Sequence, residues 1–169
     1  MQTQLIETTL DHKPIFLNLA HLYVHDMSEH VGWDCDAEGW FGCENAGDDR
    51  YWTEDHRYAY LIHVKDHLAG FAMVDQLGST ACRDWNVAEF FVVRKYRRRG
   101  VGEAAARQLF DRHQGRWDVM QIPKNTPATA FWRKVIGRYS GDRYHEETKH
   151  VEHHGRTVVQ SFSTEDRVA

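Results

Sequence analysis

The sequence predicts an α/β fold with a mixed β-sheet. Strand-like and helix-like segments alternate in the middle of the chain, and pairs of strands joined by short turns stand before and after them. The chain has 169 residues, which predicts a single domain over residues 1–169 that needs no disulfide or metal to hold it together. With 41% hydrophobic and 27% charged residues, the composition excludes a disordered chain.

The N-terminal elements are a strand and a helix. Residues 3–9 have the composition of a β-strand. Asp11 is the predicted helix cap, and Pro14 falls in the first turn, where a missing N–H costs little. Apolar residues then recur at helical spacing, which predicts a helix to about Ser28.

Residues 30–56, called the acidic segment below, show no clear period. They are rich in glycine, acids and aromatic residues. Because structureless loops of this length are uncommon in compact domains, we expect the segment to be functional or partly helical. Its aromatic residues fit either a core or a ligand pocket.

The remaining elements follow in a regular order. A hairpin (58–64 and 68–75) precedes a nearly apolar, central strand at 86–93. Thr126 is the predicted cap of the last helix, with Pro127 in its first position. The other predicted elements are a helix at 100 to about 113, a strand at 118–122 and a final hairpin (144–151 and 157–162).

Charge is distributed unevenly, although the net charge is only −4. Residues 26–58 hold ten acids and two bases, a net charge of −8. Residues 94–138 hold twelve bases and three acids, a net charge of +9. The asymmetry indicates two partners of opposite charge, or else two solvated faces.

Several features bear on compartment and metals. The N-terminus shows no basic and apolar leader, and no apolar run is long enough to cross a bilayer, so we expect a cytoplasmic protein. The three cysteines, Cys35, Cys43 and Cys82, are too few for a disulfide framework and are not spaced for zinc. The twelve histidines show no metalloprotease spacing, and we expect those at 153 and 154 to be solvated in a turn.

The most informative segment follows the central strand. A stretch containing five bases runs from Val93 into Gly100-Val101-Gly102, which opens a helix. Unpaired N–H groups of a first helical turn, approached closely through glycines, bind anions and above all pyrophosphate. A P-loop is excluded because Glu103 follows Gly102. A dinucleotide fold is disfavoured because Asp118 starts the next strand instead of ending it.

Two signatures in this region resemble those of the GCN5-related N-acetyltransferases. The segment Arg97-Arg98-Arg99-Gly100-Val101-Gly102 resembles the family's Arg/Gln-x-x-Gly-x-Gly/Ala motif. Downstream, Asn125-Thr-Pro-Ala-Thr-Ala-Phe131-Trp132-Arg-Lys-Val-Ile-Gly137 resembles Asn-x-x-Ala-x-x-Phe-Tyr-x-x-x-Gly-Phe. The resemblance covers about residues 58–140 and implies a mostly antiparallel sheet of about seven strands flanked by helices.

The resemblance implies that acetyl-CoA is the cofactor and CoA a product. Backbone N–H groups of residues 98–102 would cradle the pyrophosphate, and a splayed central strand ending at Val93 would bind the pantetheine arm. The cofactor-binding residues it implies are Phe91, Val92, Val93, Arg97, Arg98, Arg99, Gly100, Val101, Gly102, Asn125, Phe131, Trp132 and Arg133.

Acetyl transfer also needs a base and an acid. Glu89 is the only acid on the central strand and is the leading base, with a purely structural carboxylate as the alternative. Family members often use a tyrosine as acid where this chain has Trp132. Tyr139 or Tyr144 could replace it, or water or the amine proton could serve.

The acidic segment is the predicted acceptor site. Clustered carboxylates and aromatic rings select a cationic amine, which indicates an aminoglycoside-type antibiotic and hence resistance. Polyamines, other small amines and a protein N-terminus or lysine are alternatives. We expect neither a nucleic-acid nor a membrane partner, and a homodimer could form through the last strand. The alternatives from another class are a non-catalytic CoA-binding protein and a nucleic-acid-binding module. The predicted acceptor residues are Trp33, Asp34, Asp36, Glu38, Trp40, Tyr51 and Trp52.

Overall fold

The computed structural model describes residues 2–76, 85–152 and 154–168. The strands are β1 (Thr3–Glu7), β2 (Arg57–Val64), β3 (His67–Asp75), β4 (Trp85–Val92), β5 (Arg116–Gln121), β6 (Tyr144–Val151) and β7 (Gly155–Ser163). The helices are α1 (Lys13–Val31), α2 (Glu44–Gly47), α3 (Arg50–Thr53), α4 (Val101–Arg112) and α5 (Thr126–Ser140). Short 3₁₀ turns cover Leu10–His12, Arg94–Tyr96 and Thr164–Asp166.

The seven strands form one sheet in the order β1-β2-β3-β4-β5-β7-β6. The pairs β1–β2, β5–β7 and β6–β7 are antiparallel. β4 and β5 are parallel, and their register aligns Trp85 with Trp117 and Asn86 with Asp118. The predicted fold class, a mixed and mostly antiparallel sheet flanked by helices, is therefore confirmed.

Several predicted boundaries change in the structure. Asp11 does not cap the first helix, because it lies within the 3₁₀ turn Leu10–His12 and α1 begins only at Lys13. α1 runs past Ser28 to Val31 and ends at Gly32, whose φ of 73° is readily adopted by glycine. The acidic segment is partly helical, as expected, with α2 and α3 in its second half.

One compact unit comprises Met1–Val74 and Ala88–Gly102. Its core is built by α1, the two short helices and strands β2 to β4. Phe16 lies at its centre, with ring centroids 5.2 Å from Trp52 and 5.6 Å from Phe71. The buried members of this cluster are Phe16, Leu19, Ala20, Ala46, Tyr51, Ala59, Leu61, Phe71, Met73 and Phe91.

The second compact unit comprises Asp75–Val87 and Glu103–Ala169. Phe110 of α4 is fully buried and makes edge contacts with three other aromatic rings. Its ring centroid lies 5.0 Å from Trp117, 5.1 Å from Tyr139 and 4.8 Å from Phe162. This aromatic cluster joins α4 and α5 to the strands β5 and β7.

The described ranges, 2–76, 85–152 and 154–168, hold two of the three cysteines. No helix in these ranges is long and apolar enough to cross a membrane. Cys35 and Cys43 are free thiols. Cys82 and His153, which the sequence analysis singled out, lie outside the described residues.

Candidate active site

The loop after β4 is fixed by backbone hydrogen bonds at its start. The Val93 N–H donates to the Ala69 carbonyl (2.8 Å), and the Tyr96 N–H donates back to the Val93 carbonyl (2.8 Å). Tyr96 is buried and anchors the 3₁₀ turn. The loop therefore leaves the strand along a defined path and reaches α4 at Val101 within a few residues.

Left-handed backbone follows in the same loop. Arg98 has a φ of 59° and Gly100 a φ of 80°. When left-handed and right-handed backbone conformations alternate, successive N–H groups point towards the same side. Together they form a concave site that binds anions. Apart from the two chain neighbours, no heavy atom of the described residues lies within 4 Å of a Cβ built on Gly100, so the backbone there is open to a ligand. With the unpaired N–H groups of the first turn of α4, this backbone fits the pyrophosphate that the sequence motif predicts.

Two arginines of this loop are bound by a carboxylate of α1. Asp26 accepts hydrogen bonds from Arg94 (2.6 Å to one guanidinium N–H) and from Arg97. Arg97 also donates to the Val92 carbonyl (2.6 Å). Burial tends to raise the pKa of Asp26, but the hydrogen bonds from Arg94 and Arg97 outweigh it, so the pKa is lowered. Arg94 and Arg97 therefore hold the loop to α1, although both are exposed, as are Arg98 and Arg99.

The remaining loop positions implied by the resemblance differ in exposure. Phe91 is buried in the core of the first unit, and the Arg97 guanidinium lies over its ring at 5.3 Å. Val92 and Val93 are half-buried, while Val101 is buried and Gly102 lies in the first turn of α4. Their backbone groups, more than their side chains, are what such a site can offer to a ligand.

Glu89 projects from β4 into a group of hydrogen-bond donors. Its Oε1 accepts from the Asn45 amide (2.9 Å) and from the Cys43 thiol (3.7 Å). Burial, and then the charge of Glu89, raise the pKa of Tyr23 of α1 well above its usual value and that of Cys43 to about 12. Both groups therefore stay protonated at neutral pH, and the Cys43 thiol can donate to the carboxylate.

The first half of the acidic segment carries exposed aromatic and acidic side chains. Trp33 is 51% exposed and Trp40 is 43% exposed. Asp34 and Glu38 are also exposed. Asp36 instead closes a turn, since its Oδ1 accepts from the backbone N–H groups of Trp40 (2.7 Å) and Glu38 (3.1 Å).

His21 of α1 contacts this first half of the acidic segment in two ways. Its ring stacks on Trp40 with centroids 4.1 Å apart and an interplanar angle of 10°. Its Nδ1 accepts from the Phe41 N–H at 3.0 Å. One histidine thus binds both a side chain and a backbone group of the predicted acceptor site.

Of two further predicted acceptor residues, Tyr51 belongs to the core and Trp52 packs against it. Tyr51 is only 2% exposed. Trp52 packs edge-on against Phe16, and its indole N–H donates to the Thr8 hydroxyl (2.9 Å). These contacts make both rings structural, and we leave them out of the acceptor site.

Tyr139 and Tyr144, the predicted acids, lie in the second unit. Tyr139 is fully buried, and its hydroxyl donates to Asp111 (3.0 Å). Burial and this hydrogen bond raise its pKa to about 12, which makes Tyr139 a packing residue and a poor acid. Tyr144 is half-buried at the start of β6.

The second signature contains a helix cap. The predicted cap Thr126 is the first helical residue, and the cap is Asn125, whose side-chain oxygen accepts from the Ala128 N–H at 3.1 Å. Trp132 is buried against Phe131, with ring centroids 4.9 Å apart. Arg133 forms a two-pronged pair with Glu146 (2.7 and 2.5 Å), so its guanidinium is already engaged by protein.

Sequence reasoning missed four residues around this site, namely His21, Tyr23, Asp26 and Asn45. All but Asn45 lie on α1, and their partners are distant in sequence, as with Asp26 and Arg94, 68 residues apart. No motif joins such pairs. Within the described parts of the chain, no group of three or more His, Cys, Asp or Glu residues could hold a metal ion.

The family model described as "Acetyltransferase (GNAT) family" matches residues 20–137 of this chain. The match spans the loop, Glu89 and the second signature. The chain therefore belongs to the GNAT family of acetyltransferases and is an acyltransferase. A comparison with curated protein sequences finds no match.

Solved structures share the fold at low sequence identity. An acetyltransferase from Thermus thermophilus is 14% identical with a TM-score of 0.67, over 96% of this chain and 97% of its own. The aminoglycoside acetyltransferase AAC(6')-Ib, solved with coenzyme A, is 12% identical with a TM-score of 0.67, over 98% and 96%. The ribosomal-protein-S18-alanine N-acetyltransferase from Escherichia coli is 13% identical with a TM-score of 0.59, over 99% and 96%.

Proposed function

We propose that this chain transfers the acetyl group of acetyl-CoA to a primary amine of a small cationic acceptor, within a ternary complex. The left-handed backbone at Arg98 and Gly100, leading into the first turn of α4, carries this proposal. It is the geometry that a pyrophosphate requires, in a chain whose family uses acetyl-CoA.

The proposed chemistry uses Glu89 as the base. Acetyl-CoA supplies an activated thioester. Glu89 takes a proton from the acceptor ammonium, and the free amine then forms the new C–N bond while the C–S bond breaks. The thiolate leaves and takes up one proton, so CoA is released as a thiol. The nitrogen gives up its surplus proton as the amide forms, and this proton reaches the thiolate directly or through water. Tyr139 does not supply it, because its hydroxyl is committed to Asp111.

The acceptor class follows from the exposed part of the acidic segment. Asp34 and Glu38 are exposed carboxylates, and Trp33 and Trp40 are exposed rings beside them in sequence. Carboxylates attract an ammonium group, and aromatic faces bind cations and sugar rings. An aminoglycoside combines both features and is our first candidate. Polyamines, other small amines and a protein N-terminus or lysine are tested beside it.

Calorimetric titration with acetyl-CoA tests the cofactor, and a thiol-release assay over aminoglycosides, polyamines and peptides tests the acceptor. We expect micromolar binding and turnover that is fastest with a polycationic amine. Glu89→Gln should keep acetyl-CoA binding and lose most of the turnover. Absence of binding would overturn the cofactor assignment, and binding without transfer to any amine would favour a non-catalytic CoA-binding protein.

A further inference from the structure

The Glu89 carboxylate is held by side chains from outside its own strand. Cys43 comes from the end of the exposed first half of the acidic segment (residues 30–43), and Asn45 comes from α2. Asn45 and Cys43 both bind the same oxygen, Oε1. A carboxylate at the end of a flexible side chain gains a fixed orientation when several donors meet it.

Packing and backbone hydrogen bonds support Asn45, even though α2 has only four residues. Ala46, the next residue, is fully buried in the core cluster of the first unit. The Gly47 N–H donates to the Cys43 carbonyl at 3.3 Å, and the Asp48 N–H donates to the Asn45 carbonyl at 3.1 Å. Hydrogen bonds therefore hold the backbone before and after Asn45.

The two donors differ in kind. Cys43 is an ionisable group and would become an anion beside an anion if it lost its proton. The amide of Asn45 has no such alternative and donates at every pH. It also makes the shorter of the two measured contacts, 2.9 Å against 3.7 Å for the thiol.

We propose that Asn45 is a positioning residue for the catalytic carboxylate: its amide fixes Oε1 of Glu89 and favours the charged, proton-accepting form. This inference rests on the proposed function, because it takes Glu89 as the base. It also places one residue of the acidic segment in the machinery of proton transfer, besides the segment's proposed role in holding the acceptor.

The test compares Asn45→Leu, which keeps the size but removes the amide, with Asn45→Gln, which keeps the amide. Asn45→Leu should lower kcat about tenfold and move the acid limb of the pH profile of kcat/KM up by about one pH unit. The KM for acetyl-CoA should not change. Asn45→Gln should restore most of the loss, and Asn18→Leu, at an exposed position of α1, should match the parent.

Cys43→Ala provides a second variant should Asn45→Leu fold poorly. It removes the weaker donor to the same oxygen and should move the acid limb in the same direction by a smaller amount. Parental kcat and pH profile in both variants would overturn the role of Asn45. An equal loss in Asn45→Leu and Asn45→Gln without any pH shift would also overturn it, because it would indicate a structural effect alone.

An activity-independent measurement separates this inference from the proposed function. The carboxyl carbon of Glu89 can be followed by NMR against pH, with Glu89→Gln assigning the signal. The midpoint should rise in Asn45→Leu whether or not an acceptor has been found. If Glu89→Gln keeps full turnover, Glu89 is not the base, but the contact between Asn45 and Glu89 is unaffected by that result. If Glu89→Gln loses turnover but the midpoint and kcat of Asn45→Leu stay parental, only the positioning role is wrong.

Discussion

The loop at residues 93–102 and the acidic segment differ in how far their charges are available to ligands. Gly100 keeps the loop backbone open, and Asp26 has taken up two of the loop's arginines. In the acidic segment, several carboxylates are also occupied: Asp36 closes a turn, and Asp48 and Asp49 pair with Arg50 and Lys13. Summed charge thus overstates what each region offers, and backbone geometry is the better guide to the loop.

The largest expected effect comes from Gly100→Asp. The aspartate would force a side chain into a backbone with φ near 80° and place a negative charge where phosphate is proposed to bind. We expect acetyl-CoA affinity to fall at least about 100-fold, measured by calorimetry.

Gly39→Asp is the matched control. Gly39 has a φ of 76°, and a Cβ built on it meets no heavy atom of the described residues within 4 Å apart from its chain neighbours, but it lies in the acidic segment. It carries the same backbone strain and the same new charge, and it should leave acetyl-CoA affinity within about twofold. Equal losses in both variants would mean that strain, and not the phosphate site, explains the effect.

Asp26→Asn tests the tie between α1 and the loop. Folding lowers the pKa of the Asp26 carboxyl group from its usual value of 3.8. The charged carboxylate therefore stabilises the folded chain above pH 3.8, and this stabilisation is lost as the pH falls through the lowered pKa. We expect the variant to be less stable by about 1 kcal/mol at pH 7, because the pairs are partly exposed.

Urea unfolding at pH 7 and near pH 3 measures this difference. The gap between the parent and Asp26→Asn should shrink at the lower pH. Asp34→Asn serves as control, since Asp34 is exposed, and should show no gap at either pH. A gap that stays constant with pH would contradict an electrostatic tie.

These contrasts show what the sequence could and could not predict. Runs of strand-forming residues predicted the seven strands found in the described residues, and helical spacing of apolar residues together with capping signals predicted their three long helices. The four-residue helices α2 and α3 have no period to detect. The open loop was predictable because Gly100 and Gly102 lie two positions apart in one local motif. Asn45 and Glu89, in contrast, are 44 residues apart in the sequence, and no local pattern links them.

Tyr51 and Trp52 show the same limit from the other side. Aromatic residues among acids indicate either a pocket or a core, and composition cannot separate the two. Burial separates them here, since Tyr51 is 2% exposed while Trp33 is 51% exposed. The predicted acceptor site is thereby limited to the exposed first half of the acidic segment.

A smaller effect is expected from neutralising acidic side chains in the exposed first half of the acidic segment. Asp34→Asn combined with Glu38→Gln removes two exposed charges and should raise the KM of a cationic acceptor about three- to fivefold, without changing the KM for acetyl-CoA. The increase should fade at high salt, because exposed charges are screened. Asp36→Asn should act differently, through the turn that it closes. An unchanged acceptor KM in the double variant would remove this half from the acceptor site.

The smallest effect is expected from His21→Leu. The substitution removes both the ring stacked on Trp40 and the acceptor for the Phe41 N–H. The exposed first half of the acidic segment would lose its contacts with His21 of α1 but keep the turn made by Asp36. We therefore expect the acceptor KM to rise only about twofold. Acetyl-CoA affinity should not respond, since that site is proposed on the backbone of the loop. His67→Leu, at an exposed position at the start of β3, is the control. A loss of acetyl-CoA affinity in His21→Leu would mean that the two regions depend on each other through α1, which also carries Asp26.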